Sequence, residues 1–192
     1  TFNQKYIKEA SKLANYQIEH FWDDSSGGFY FTADNSEKLL IRNKEIYDGA
    51  IPSGNSVSAY NFIRLSRILS NSNYENISLK IIDTFSKNLK RYSSGYTMLL
   101  HALTYIEGPS YEVIISGNRK QSTDIINSIN NISQFNKVLI LRDETEELIN
   151  ELEFLENYIS DYNNQPIVYV CKNYVCNLPT SDMELIHQYL TE

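Results

Sequence analysis

The sequence predicts a mainly α-helical protein ending in a small α/β unit, with residues 1–109 helical and residues 110–192 alternating strand and helix. Three observations carry this. Apolar residues in the first part recur at steps of three and four, which is the spacing of one face of an α-helix. After Pro109 the apolar residues gather instead in short β-branched runs. Between the two lies Gly108-Pro109, a stop signal, because glycine ends helices readily and proline cannot continue their hydrogen-bond ladder.

The first helix is predicted from Phe2, Tyr6, Ala10, Leu13, Gln17 and Phe21, which form one mostly apolar stripe. A second is predicted over residues 55–69. It is apolar nearly all round, with Ser58, Asn61, Arg64 and Arg67 as one narrow polar stripe, and such a helix is buried on most sides. Ile77, Ile81, Phe85 and Leu89 make an i+4 row on a third, and a fourth runs over residues 96–106. Beyond Pro109, residues 113–115, 137–141 and 167–170 read as strands, separated by helical segments near 123–132 and 144–159. Continuous apolar strands alternating with helices predict a parallel sheet covered on both faces.

Composition narrows the function. A net charge of −7 argues against a general nucleic-acid binder, which carries a basic face. No apolar run approaches the roughly 18 residues of a membrane span, and no secretory signal opens the chain. Two cysteines do not make a disulfide scaffold. A cytoplasmic, bacterial protein without cofactor, membrane or nucleic-acid partner is the plain expectation.

Candidate chemistry concentrates between Trp22 and Tyr60, in loops dense in Gly, Asp, Asn and aromatic residues. In the first loop, Gly27 and Gly28 permit a tight turn, and residues 29–31 read as a short hairpin strand. Trp22 and Tyr30 would form a sugar-stacking platform with Asp23 as an acid at its rim. The competing interpretation is a turn fastened by a buried Trp22. In the second loop Ser53 is a predicted N-cap, so Gly54, Asn55 and Ser56 would present backbone N–H groups to an anionic or hydroxyl-rich ligand. Asp48 and Glu45 precede it, with Arg42 and Lys44 close by in sequence. These supply acid and base for proton transfer on a sugar or carbonyl, or an ion-pair network bracing the loop. Asp48 in particular is expected to be at least half-buried and to accept backbone N–H groups of its own loop.

Elsewhere the signals are weaker. His20, His101 and His187 show no metal-ligand spacing such as H-E-x-x-H, so no metal site is predicted. Gly117 belongs to no phosphate-cradling fingerprint. Cys171 and Cys176 are spaced C-x4-C, which matches neither a redox C-x-x-C nor half a zinc site. They are the redox candidates, expected to be reduced thiols in a turn, with a labile disulfide as the alternative.

The tract GGFYFTAD…YDGAIPSGNSVSAYNFIRLSRI, with YTMLLHAL, GPSYEVIISG, NKVLILR and YVCKNYVCNLPTSD, resembles the C-terminal part of the YyaL-type, spermatogenesis-associated thioredoxin-domain-containing proteins. The resemblance covers essentially the whole chain. It implies a thioredoxin-like domain upstream, then an (α/α)6 toroid of the six-hairpin type, related to N-acylglucosamine and cellobiose 2-epimerases. Residues 1–109 would be the last hairpins of that toroid, with both loops at its mouth, and residues 110–192 a family-typical appendage. Where the epimerases carry paired histidines at the cavity floor, this chain has Ser53, Gly54 and Asn55. Two function classes follow: a ligand-binding or interaction module, carbohydrate-like ligands included, or a sugar isomerase or glycoside-active enzyme using Asp48, Glu45 or Asp23. The chain by itself is expected to dimerise through its uncovered helix faces and to be inert toward sugars.

Overall fold

Residues 4–21 contain neither proline nor glycine, and α1 runs through them as Gln4–Phe21. In the computed structural model, which describes residues 1–160 and 165–191, the chain divides into two units: Lys5–Glu107, and Thr1–Gln4 with Gly108–Glu192.

In the first unit α2 (Gly54–Leu69) is the central helix. It buries Asn55, Ser56, Ser58, Ala59, Phe62, Ile63, Ser66, Arg67 and Leu69, as its near-continuous apolar surface predicts. Two residues of its polar stripe go inward as well. Ser58 Oγ donates to Gly54 O (2.6 Å) and accepts from Gln17 Nε2 (2.7 Å), and Arg67 pairs with Glu75 at 3.2 Å. α3 (Ser72–Thr84) and α5 (Thr97–Glu107) pack on α2. The i+4 row that predicts one helix spans two, because the chain breaks at Phe85 before α4 (Ser86–Arg91). There Thr84 Oγ1 donates to Ser26 O, and the Phe85 ring lies 3.0 Å from where a Cβ on Gly28 would stand. The break falls where the helix meets the glycine turn. α1 is the least covered helix: it buries only Ser11 and Ala14, while Tyr6, Leu13 and Tyr16 stay 62, 66 and 47% exposed.

The second unit is built on a four-stranded sheet in the order β2-β1-β3-β4, with β1 Tyr111–Ser116, β2 Lys137–Arg142, β3 Ile167–Lys172 and β4 Val175–Cys176. β1 is buried along its whole length, as a central strand covered on both faces must be. On one face Tyr111, Val113, Ile115, Val168 and Val170 pack against Ile129 of α6 (Thr123–Asn131) and Ile186 and Leu190 of α7 (Met183–Thr191).

The all-parallel prediction is corrected. β1 and β2 are parallel, but β3 runs antiparallel to β1 and β4 antiparallel to β3. Parallel neighbours need a crossover that carries the chain back over a sheet face, usually as an α-helix. Residues 123–131 supply one between β1 and β2, whereas the described part of the next connection holds a 3-10 stretch, Asn150–Asn157, in place of the predicted helix. Apolar runs identify strands without fixing their direction.

Candidate functional site

The first loop is organised around one buried carboxylate. Asp23 is 7% exposed. Its Oδ1 accepts from the Ser25 N–H (2.9 Å) and Oγ (2.6 Å), and its Oδ2 from Ser26 Oγ (2.7 Å) and Lys44 Nζ (2.6 Å). Lys44 also donates to Gly27 O at 2.8 Å. The Lys44 ammonium, with the serine donors, outweighs the effect of burial and holds the Asp23 carboxyl far below the usual carboxylate range. These bonds fasten the turn. Gly27 and Gly28 sit at φ +78 and +79°, and a Cβ on Gly27 would lie 2.6 Å from Thr84 Oγ1, so the close approach needs glycine.

Of the predicted hairpin strand, one bridge is present, between Trp22 and Phe29. The Trp22 ring meets Phe29 edge-on (5.0 Å between centroids), Phe29 stacks on Phe62 (5.5 Å), and Phe62 meets Tyr74 edge-on (5.4 Å). Tyr30 is not an open platform, because the Arg42 guanidinium lies 4.2 Å from its ring centroid. A hydrogen bond to the Asp23 carboxylate, with burial, pushes the Tyr30 hydroxyl above its usual range. Arg42 in turn donates to Thr32 O and His20 O, and His20 Nδ1 lies 2.9 Å from Asp34 Oδ1. His20 is thereby part of the loop's frame.

The second loop meets the first through Asn55, which is 2% exposed. Its Oδ1 accepts from the Phe29 N–H (2.6 Å), and its Nδ2 donates to Phe29 O (2.9 Å) and Glu45 O (2.8 Å). The amide thus pairs with Phe29 as a neighbouring strand would. Sequence reasoning offers Asn55 for its backbone N–H and misses this side-chain role. Ser53 caps α2 as predicted, its Oγ accepting from the Ser56 N–H (3.1 Å), so that N–H is already used. Gly54 opens outward, and a Cβ there would meet nothing within 4 Å.

Asp48 is half-buried, as expected. Its Oδ1 accepts from the Ser53 N–H (2.9 Å) and its Oδ2 from the Met98 (2.8 Å) and Leu99 (3.3 Å) N–H groups. It braces its own loop and satisfies the otherwise unpaired donors that open α5. The Glu45 side chain is exposed, and its contribution to the network is its backbone carbonyl. Asp23 and Asp48 thus use both carboxylate oxygens, and Asn55 its side-chain amide, to fasten the loops.

α1 and α2 bound an open groove of about 370 Å³. Ala10, Leu13, Ala14, Phe62, Leu65 and Ile68 make it mostly apolar, with Gln17, Asn61 and Arg64 as its polar lining.

The expectation of free thiols is also corrected: Cys171 and Cys176 form a disulfide. The two residues face each other across the β3–β4 hairpin. In a two-residue hairpin, positions five apart are cross-strand partners, so C-x4-C around Asn173-Tyr174 was a legible signal for this pairing.

No family model matches the chain. It is similar to spermatogenesis-associated protein 20 of Homo sapiens, with 29% identity over 182 residues, covering 92% of this chain and 23% of the human protein. The Rattus norvegicus protein of that name is 29% identical over 192 residues, covering 95% of this chain and 24% of its own length. An uncharacterised Caenorhabditis elegans protein is 22% identical over 185 residues, 96% of this chain. These relatives are animal proteins, and the chain spans about a quarter of the length of the curated relatives it matches.

Proposed function

We propose that this chain is the C-terminal portion of a longer protein of the spermatogenesis-associated type, and that residues 5–107 act there as a binding and assembly module. In this reading α1 to α5 are the closing hairpins of an (α/α)6 toroid, and preceding hairpins of the same protein occupy the groove between α1 and α2. The observation that carries it is the uncovered face of α1. Leu13 is 66% exposed beside an apolar groove, while each relative is about four times as long as the matched segment. Exposed apolar patches of this kind are sites of association. The tied carboxylates support binding over catalysis, since both oxygens of Asp23 and of Asp48 already accept hydrogen bonds.

The test is reconstitution. The upstream region of the parent protein, expressed as a second polypeptide, should co-elute with this chain, and Leu13→Asp with Leu65→Asp should abolish co-elution while circular dichroism stays unchanged. A stable homodimer that ignores the upstream polypeptide and persists in the double variant would overturn the assignment of the groove.

A carbohydrate-like ligand at the loop face is the second reading, favoured by Gly54 opening on free space at the start of α2. A sugar screen by thermal shift on the longer protein tests it. A ligand at 100 times its Kd stabilises by about 2.7 kcal/mol, and the shift should be lost in Gly54→Leu.

A further inference from the structure

The two cysteines of the β3–β4 hairpin stand in unequal surroundings. Cys171 is 3% exposed at the end of β3. Cys176 lies in the exposed run of residues 173–179, beside Val175 at 73% exposure and Leu178 at 83%. The turn between them, Asn173 and Tyr174, has φ of +50 and +68°, the left-handed pair that a two-residue hairpin of this kind requires. That turn holds a second segment. The Asn173 N–H donates to Ser110 O (2.9 Å), and the Ser110 N–H donates to Asn173 Oδ1 (3.0 Å). Ser110 is 1% exposed and immediately precedes β1. One covalent bond thus closes a six-residue loop whose tip clamps the entry to the central strand.

The geometry points to a thiol–disulfide exchange site entered at Cys176, which takes a dithiol reductant and whose oxidised form keeps the Asn173–Ser110 clamp closed. A thiolate of the reductant attacks Cys176 Sγ along the accessible side. The S–S bond breaks, a mixed disulfide forms at Cys176, and Cys171 leaves as a thiolate that takes a proton from water. The reductant's second thiolate then attacks the reductant's own sulfur in the mixed disulfide and expels the Cys176 thiolate, which also takes a proton from water. Two electrons pass from the reductant, which ends as a disulfide, to the chain, which ends as a dithiol.

The requirement for a dithiol follows from the hairpin. In the mixed disulfide, before the hairpin has relaxed, Cys171 remains beside Cys176, its partner in the strand register. Its effective concentration there is high, so it re-closes the bond and ejects a monothiol. A second thiol on the same reductant competes within one molecule and carries the reaction forward.

The experiment uses the intact 192-residue chain under native conditions. Dithiothreitol and glutathione are compared at equal thiol concentration, with acid quenching, alkylation and mass mapping. Dithiothreitol should reduce the bond at least about tenfold faster than glutathione, and any trapped glutathione adduct should sit on Cys176 with Cys171 alkylated. Amide exchange at Ser110 and Asn173 should rise at least about tenfold on reduction, as hydrogen bonds that depended on the closed loop open locally. As a control of access, the single thiol of Cys171→Ser should react with an aromatic disulfide reagent at least about tenfold faster than that of Cys176→Ser. A bond reduced only after unfolding, an adduct on Cys171, equal rates with both reductants, or unchanged exchange at Ser110 would each overturn the proposal.

Discussion

The loops between Trp22 and Ser56 and the sheet of β1–β4 hold their chains together by different means. In the sheet, backbone pairs with backbone, leaving side chains free to form an apolar core of Val113, Ile115, Val168 and Val170 with Ile129, Ile186 and Leu190. In the loops there is almost no regular pairing, so polar side chains take over. Asn55 pairs with Phe29, Asp23 gathers Ser25, Ser26 and Lys44, and Asp48 reaches Ser53 and the start of α5. These polar side chains satisfy backbone groups that a β-ladder would otherwise pair. A buried backbone group needs a partner whatever supplies it.

That contrast can be broken by mutation. The largest effect is expected for Asn55→Ala, which strands the N–H and C=O of buried Phe29 and the Glu45 carbonyl. With each unpaired buried group costing about 1–3 kcal/mol, the loss should be about 4 kcal/mol in urea denaturation. Ile115→Ala, at a fully buried position of β1, should cost about 3 kcal/mol through lost burial and a residual cavity. If Asn55→Ala proves the milder by a wide margin, the polar seam is ornamental and the comparison fails.

A pH series sharpens it further. Asp23 has a depressed folded-state pKa, so its stabilisation is present above the unfolded carboxylate value and is lost as pH falls toward the folded one. Below about pH 4 the unfolded chain binds one more proton at this site than the folded chain. Wild-type stability should therefore fall more steeply than that of Asp23→Asn, by up to about 1.4 kcal/mol per pH unit. Parallel curves between about pH 2 and pH 4 would remove Asp23 from the seam. The smallest effect is expected for Ser53→Ala, which loses a single helix cap, about 1 kcal/mol by the same denaturation assay.

What the sequence made legible follows the range of each interaction. The Ser53 cap, the hold of Asp48 on Ser53 and the buried character of α2 depend on neighbours within one or two turns, and pattern reasoning reaches them. The Lys44–Asp23 pair joins residues far apart in the chain, and the Thr84–Ser26 bond joins residues farther still. No periodicity announces either. Strand direction failed for a related reason, since Ile167 to Lys172 is apolar enough for either orientation and only the path of the connection decides. The cysteine pair is different again: its spacing and turn residues were sufficient, and the hairpin that relates them had to be considered.

The arrangement of Trp22 against Phe29 has an optical consequence. Trp22 is the chain's one tryptophan, and it belongs to the unit of residues 5–107. Its emission on selective excitation therefore reports the melting of the glycine turn and the aromatic rings behind it. Far-ultraviolet circular dichroism weighs the backbone of both units. A denaturation curve read by both signals thus compares one neighbourhood with the whole molecule, and coincidence of the two midpoints is the condition for treating the chain as a single cooperative system.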